Sequence, residues 1–236
     1  MANFILSFIL VFLFNSCSLL DCVRGSGVVD SELREISDFT KITLKANANI
    51  YITQSDKFSV EIEAENNVIP YLTTKLRGEE LVISVKRCVL TRKPIKIYIS
   101  LPDLEEINLT GSGNIFGENE ISVKELKLNI SGSGKIDLSL EAEKLISIIT
   151  GSGKISLSGN TSFHKIILSG SGIIDAVNFG TSDALVNLSG SGKCRIKVIN
   201  DLTINLSGSG VVEYDGNPDI KSNITGSGKV RKLKNR

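Results

Sequence analysis

A Ser or Thr followed by Gly-Ser-Gly occurs seven times in this chain, with the triplets starting at Gly111, Gly132, Gly151, Gly170, Gly190, Gly208 and Gly226. The steps between them are 21, 19, 19, 20, 18 and 18 residues. Self-similarity at a near-fixed period close to 20 is the signature of a solenoid. Around each triplet the apolar residues fall on every second position, which is the period of a strand. Leu126, Leu128 and Ile130 lead into Gly132 and Gly134, and Ile136, Leu138 and Leu140 follow on the same parity. The alternation therefore passes through the glycines without slipping. One face is buried, and the glycines lie on it.

Those glycines allow two physical readings. Either an opposing wall comes too close for a side chain, or the chain bends and needs glycine's backbone freedom. Both describe a corner of a coil. A run of about 19 residues at roughly 3.3 Å each has a contour near 60 Å, which suits one flattened turn of two or three short strands. Turns stacked at about 4.8 Å pair each strand in parallel with its copy in the next turn. The fold class is all-β, a single-stranded β-helix of about 18–21 residues per coil. No turn buries its apolar face alone, so neighbouring turns must supply the stability.

The outward positions then form columns. Asn108, Asn129, Asn187, Asn205 and Asn223 stack, interrupted by Ile148 and Ile167. Thr110, Ser131, Thr150, Ser169, Ser189, Ser207 and Thr225 make a second column without exception, and the central serines make a third. Lys135, Lys154, Lys193 and Lys229 follow the triplet in four repeats. Asn side chains hydrogen-bond along such a ladder, and Ser/Thr pairs do so more weakly. The columns read first as a structural ladder. They also mark a candidate contact strip of Ser131, Ser133, Lys135, Thr150, Ser152, Lys154, Ser189, Ser191 and Lys193.

The chain of 236 residues carries 27 basic and 26 acidic residues, so no global field favours nucleic acid. It has no Trp and four Tyr, and no row of aromatic platforms for sugars or bases is visible. Phe4 to Phe14 is apolar apart from Ser7, too short to span a bilayer before Asp21 and Arg24. With Asn15, Ser16 and Cys17 it reads as an export signal over 1–16. Ser16-Cys17 resembles a bacterial lipobox, which implies cleavage before Cys17 and its acylation; ordinary cleavage and a retained anchor are the alternatives. No Lys or Arg precedes the apolar run, and Phe14 stands where Leu is usual.

Residues 17–27 read as a tether, 28–104 as irregular β coils, and 105–236 as the repeat β-helix with a basic end. Terminal solenoid units are atypical because they cap the core; a separate sandwich over 28–104 is the alternative. Cys22, Cys88 and Cys194 leave an odd count after Cys17. A Cys22–Cys88 bridge is open, and Cys194 shares parity with buried positions. Asn66 to Leu72 breaks the strand pattern and suits a short helical turn that Pro70 keeps brief. Lys229, Arg231, Lys232, Lys234 and Arg236 put charge on the last coil, which blunts an edge that would recruit another chain; contact with anionic lipid or polysaccharide is the sharper alternative.

Gly25-Ser26-Gly27, Ile50-Tyr51-Ile52-Thr53-Gln54, Asn67-Val68-Ile69-Pro70-Tyr71 and Leu101-Pro102-Asp103-Leu104 occur in this order ahead of the triplets. In this respect the chain, over roughly residues 25–230, resembles the putative auto-transporter adhesin, head GIN domain family, known mainly from Bacteroidetes envelopes. Ala46-Asn47-Ala48-Asn49 stands where that family usually has another glycine-rich triplet. The resemblance implies an exported β-helical protein, often lipid-anchored.

Chemistry is sparse. Glycoside hydrolysis needs two carboxylates at a defined separation, and Asp137 and Asp175 sit two coils apart with Ser156 between them. His164, after Phe163, reads as a surface side chain near a turn. Gly-Ser-Gly lacks the spacing of a nucleophile elbow, and its flanks lack the acids of calcium β-rolls. No cofactor or metal is expected. The reading is a non-enzymatic, lipid-anchored envelope protein with a polar surface for an unidentified protein or polysaccharide, on either side of the outer membrane. A periplasmic scaffold or sensor is the alternative, and a polysaccharide lyase or hydrolase a further one. The oligomeric state is not legible.

Overall fold

A computed structural model describes residues 22–233, so the signal segment and Cys17 lie outside the described residues. The chain forms a stack of β-strand coils joined in one continuous sheet. In chain order the strands are β1 (Val23–Arg24), β2 (Val29–Arg34), β3 (Lys41–Lys45), β4 (Asn49–Gln54), β5 (Ser59–Glu65), β6 (Leu72–Arg77), β7 (Glu80–Val85), β8 (Val89–Leu90), β9 (Lys96–Leu101), β10 (Glu106–Gly111), β11 (Asn114–Gly117), β12 (Ile121–Gly132), β13 (Lys135–Gly151), β14 (Lys154–Gly170), β15 (Ile173–Gly190), β16 (Lys193–Gly208), β17 (Val211–Asp215), β18 (Asp219–Gly226) and β19 (Lys229–Lys232). A short 3-10 turn at Ile69–Tyr71 contains Pro70, as the sequence pattern implies.

From β10 onward each turn pairs in parallel with the next, and the register aligns triplet on triplet: Gly111, Gly132, Gly151, Gly170, Gly190, Gly208 and Gly226 stand in one file. The β-helix is therefore as the repeat requires. Strands preceding each triplet form one side of the coil, strands following it form the next, and Ile, Leu and Val from both fill a single core.

Both readings of the glycines hold, one for each glycine of a triplet. The first takes positive φ, for example 131° at Gly132 and 118° at Gly151, and makes the bend. The second faces the core: a Cβ on Gly134 would fall 2.6 Å from the Gly113 carbonyl oxygen and 2.5 Å from Leu109 Cδ2. The hydrogen-bond ladder runs on through the corner, with Ser133 N donating to Gly111 O (2.9 Å) and Lys135 N to Gly113 O (3.1 Å).

In the amino-terminal part, spatial order departs from chain order. The β3–β4 turn pairs on one side with β7 and β9 and on the other with β10 and β11. It is thus sandwiched between a turn that follows it in sequence and the first repeat. Ala46-Asn47-Ala48 occupies the triplet's place, because Leu44 pairs with Leu109 and Asn49 with Asn114. The stack then ends in antiparallel strands, β6 on β7, β5 on β9 and β2 on β5. The sheet is continuous across residue 104.

This detour accounts for the ordered motifs. Leu101-Pro102-Asp103-Leu104 carries the chain from β9 past the β3–β4 turn to β10. Gln54 holds that crossing, donating from Nε2 to Pro102 O (2.8 Å) and Ser122 O (3.0 Å) and accepting from Ser122 N (2.7 Å). Gly25-Ser26-Gly27 is not a repeat corner. It wraps the buried Glu65 carboxylate, which accepts from Gly27 N (2.6 Å) and Arg92 N (2.8 Å), while a Cβ on Gly25 would collide with that carboxylate. Burial pushes the Glu65 carboxyl up, but the N–H groups of Arg92, Gly27 and Lys93 prevail and hold it below the usual range. Beside it Cys22 and Cys88 form a disulfide and β1 pairs with β8. Residues 22–27 are therefore bound to the body.

Candidate functional site

The Ser/Thr column is continuous: Thr110, Ser131, Thr150, Ser169, Ser189, Ser207 and Thr225 are paired turn by turn. All but half-buried Ser169 are exposed. The Asn column beside it forms hydrogen bonds at two of its adjacent pairs, Asn129 Nδ2 to Asn108 Oδ1 (3.3 Å) and Asn205 Nδ2 to Asn187 Oδ1 (2.9 Å). Ile148 and Ile167 separate the two segments. Between the columns lies a shallow trough of about 270 Å³, lined by Asn187, Ser189, Asn205, Ser207, Asn223 and Thr225 among others.

Ser131, Ser133, Lys135, Thr150, Ser152 and Lys154 come from two adjacent turns and lie together. Ser189, Ser191 and Lys193 are separated from them by the turn that carries Ser169 and Ile173. The chain bends at each triplet, so the Ser/Thr column and the Lys column occupy neighbouring sides of a ridge with Ser133, Ser152 and Ser191 along its crest. The lysines also differ from one another. Lys135 pairs with Asp137 (2.6 Å), and Lys193 with the buried Glu213 (2.9 Å). Among the described residues Lys154 has no ion-pair partner.

Glu213 is the centre of a charge cluster. Lys193 holds its carboxyl below the usual range, Arg231 adds to the effect, and burial opposes it. Arg231 Nη2 reaches it at 2.6 Å, and Arg195 bridges to Asp175 at 3.0 Å. This cluster ties together four successive strands of that side, β15, β16, β17 and β19.

An aromatic row is present after all. Tyr51 stacks on Tyr98 (5.2 Å between centroids, planes at 20°) and on Phe116 (5.5 Å, 25°), and Lys135 Nζ stands 5.6 Å above Phe116. The rings come from β9, β4 and β11 in that spatial order, so their separation in sequence hides them. Likewise an acidic cleft of about 940 Å³ opens where Asp103, Glu105, Glu106, Glu125, Glu141 and Glu143 converge. Lys41 bridges Glu105, Lys127 bridges Glu106 and Lys144 bridges Glu125. Among the described residues Asp103, Glu141 and Glu143 have no ion-pair partner.

His164 is not on the surface. It is fully buried, with Nε2 2.9 Å from the Ser147 hydroxyl and its ring edge-on to Phe179 at 5.7 Å. Burial pushes its pKa down to about 3. Parity was the signal available in the sequence, because His164 is in phase with buried Ile166 and Leu168. Cys194 is buried as its parity implies, with its thiol pushed up to about 12 by burial and by Asp175. It is chemically quiet.

The sequence profile described as "Putative auto-transporter adhesin, head GIN domain" matches residues 38–218. The chain belongs to that family. Solved structures agree on the fold. A putative adhesin from Bacteroides fragilis superposes with a TM-score of 0.84 at 23% identity, covering 89% of this chain and 100% of that one. A putative adhesin from Parabacteroides distasonis gives 0.72 at 25% identity over 90% and 100%. A protein from the same organism described as a putative lipid binding protein gives 0.75 at 26% over 90% and 99%. No curated protein matches the chain. Among the described residues no helix is long and apolar enough to cross a membrane.

Proposed function

We propose that this head GIN domain protein is an exported, lipid-anchored β-helix that acts without catalysis, as an adhesin or surface interaction module. The observation that carries this reading is the Ser/Thr column, exposed at every position but half-buried Ser169 and in unbroken register through seven turns beside the Asn-lined trough. A rigid array of hydroxyls at about 4.8 Å spacing suits a polymeric, polar ligand bound through many weak contacts. The Cys22–Cys88 disulfide supports export, because disulfides persist in oxidising compartments. The Ser16-Cys17 sequence supports acylation five residues before the bridged Cys22.

The deciding experiment is protease shaving of intact cells with a carboxy-terminal tag. Loss of the tag from intact cells places the β-helix outside and supports adhesion. Loss only after the outer membrane is opened supports a periplasmic scaffold or sensor instead. The acidic cleft favours one further reading, hydrolysis or lysis of a polysaccharide. Release of new reducing or unsaturated ends from a polysaccharide panel, lost in Glu141→Gln with Glu143→Gln, would establish it.

A further inference from the structure

The two ends of the stack are built differently. At the amino-terminal end β6 and β2 are the outermost strands of the two files: β6 turns Thr74 and Leu76 toward the core opposite buried Ile83 and Leu81, and β2, which covers β5, turns Asp30, Glu32 and Arg34 toward it opposite buried Ala64, Ile62 and Val60. Charges aimed inward from an outermost strand stop another strand from joining. At the other end β18 pairs with β16 on one side, and all eight of its residues are exposed. Ile220 and Ile224 lie in register with buried Leu202 and Leu206, yet they are 39% and 43% exposed. Lys229, Arg231 and Lys232 lie on β19, and among the described residues the outer edge of β18 has no partner strand; an open edge backed by uncovered core side chains is a template for strand addition.

We propose that this open end binds a second copy of the chain, tail to tail, and that the contact makes the protein a homophilic adhesin. A two-fold axis through Ser222 pairs the two β18 strands antiparallel, with Ile220 opposite the partner's Ile224, Lys221 opposite the partner's Asn223 and Asp219 opposite the partner's Thr225. The uncovered isoleucines close over one another and no like charges meet. Because the strand direction reverses, the end of β17 and the start of β18, with Asp215 and Asp219, come over the partner's triplet corner and β19, with Lys229 and Lys232. A head-to-tail join would instead set β19 against β2, with Asp30, Glu32 and Arg34 on the core side of that contact. Self-complementary closure of this kind is the commonest symmetric assembly.

The geometry then fixes what such a dimer joins. Ten strands stand in file from β6 to β18, and at about 4.8 Å per spacing each rod is near 43 Å long. Cys22 is bridged to Cys88, beside the capped end. Resting on the lipid-anchor reading, the two acylated ends lie about 90 Å apart and point away from each other, so the dimer spans two apposed membranes.

The test uses the mature chain with Cys17→Ser in sedimentation equilibrium. Twice the chain mass is expected at micromolar concentration. A monomer at all concentrations overturns the proposal. Ile220→Lys with Ile224→Lys should weaken association about 100-fold, whereas Leu33→Lys at the capped end should leave it unchanged. A charge swap guards against misfolding: Lys229→Glu with Lys232→Glu should weaken the dimer about ten-fold, and adding Asp215→Lys with Asp219→Lys should restore it. Failure of that rescue overturns the two-fold arrangement. Vesicles carrying the acylated protein should cluster, and those with the isoleucine variant should not. If the chain dimerises but such vesicles stay dispersed, homophilic bridging is overturned. Mass spectrometry of Cys17 tests the anchor separately.

Discussion

The Ser147 hydroxyl lies 2.9 Å from His164 Nε2, and both side chains are sealed in the core. Among the described residues His164 Nδ1 has no hydrogen-bond partner. A proton there would be buried without a counter-charge, which is why the folded pKa falls from 6.5 to about 3. The unfolded chain binds that proton from pH 6.5 downward, so stability is full above pH 6.5 and is lost as the pH falls toward 3. The loss is on the order of 4 kcal/mol. Urea melts at pH 7, 5 and 4 on the parent and on Ser147→Ala with His164→Leu check this. The double variant, with both partners apolar, should lose less stability in acid. An equal loss in both proteins would remove His164 as the cause.

The two glycines of a triplet should respond differently to alanine. At Gly153 the φ is ordinary, but a Cβ would lie 2.6 Å from Ile130 Cγ2 and 3.0 Å from the Gly134 carbonyl oxygen. Overpacking of this kind costs about 2–3 kcal/mol. Gly78 has φ 58° with open space around it, so alanine there meets only backbone strain of about 1 kcal/mol. Gly151 combines φ 118° with a Cβ 2.7 Å from the Gly132 carbonyl oxygen and should be the worst of the three. Chemical denaturation of the three variants gives the ranking directly.

That ranking touches what was legible in the sequence. Period and parity establish the coil, the columns and the buried glycines, because each repeat stacks on the next in chain order. Tyr98, Tyr51 and Phe116 were illegible as a row because the β3–β4 turn is inserted between later ones, and no local pattern announces such a detour. The acidic cleft was hidden for a related reason: it gathers residues from Thr40 to Ser162. His164 is a different case. Its parity points into the core while its polar chemistry points to the surface, and in the folded chain the phase prevails.

Residues 22–27 should act as a clasp rather than a loose lead. The Cys22–Cys88 bridge closes a loop with a sequence separation of 66, which constrains the unfolded chain by about 4 kcal/mol in the loop-entropy account. Glu65 then fastens Gly27 and Arg92. Cys22→Ser with Cys88→Ser should lower the melting temperature and expose Arg24 to trypsin. Glu65→Gln should expose Arg24 while leaving the disulfide intact, because it weakens the bonds that hold Gly27. Trypsin digestion followed by mass spectrometry distinguishes the two. Protection of Arg24 in both variants would show that β1 and β8 hold the segment unaided.

The lysine column must be tested with its pairings in mind. Lys193→Ser removes the main partner of the buried Glu213 carboxylate, a loss of about 1–2 kcal/mol even with Arg231 still in place. Lys135→Ser frees Asp137 and uncovers the face of Phe116. Lys154→Ser disturbs neither, since among the described residues it has no ion-pair partner, and its effect on stability should stay within about 0.5 kcal/mol. If the ridge binds an anionic polymer, Lys154→Ser should weaken binding without moving the melting temperature, and the loss should shrink as salt rises. Heparin-type and alginate-type polysaccharides on a biosensor provide the measurement. Unchanged binding in Lys154→Ser, beside a loss in Lys193→Ser that tracks a lower melting temperature, would assign the lysines to the scaffold and leave the hydroxyl column and the trough as the contact surface.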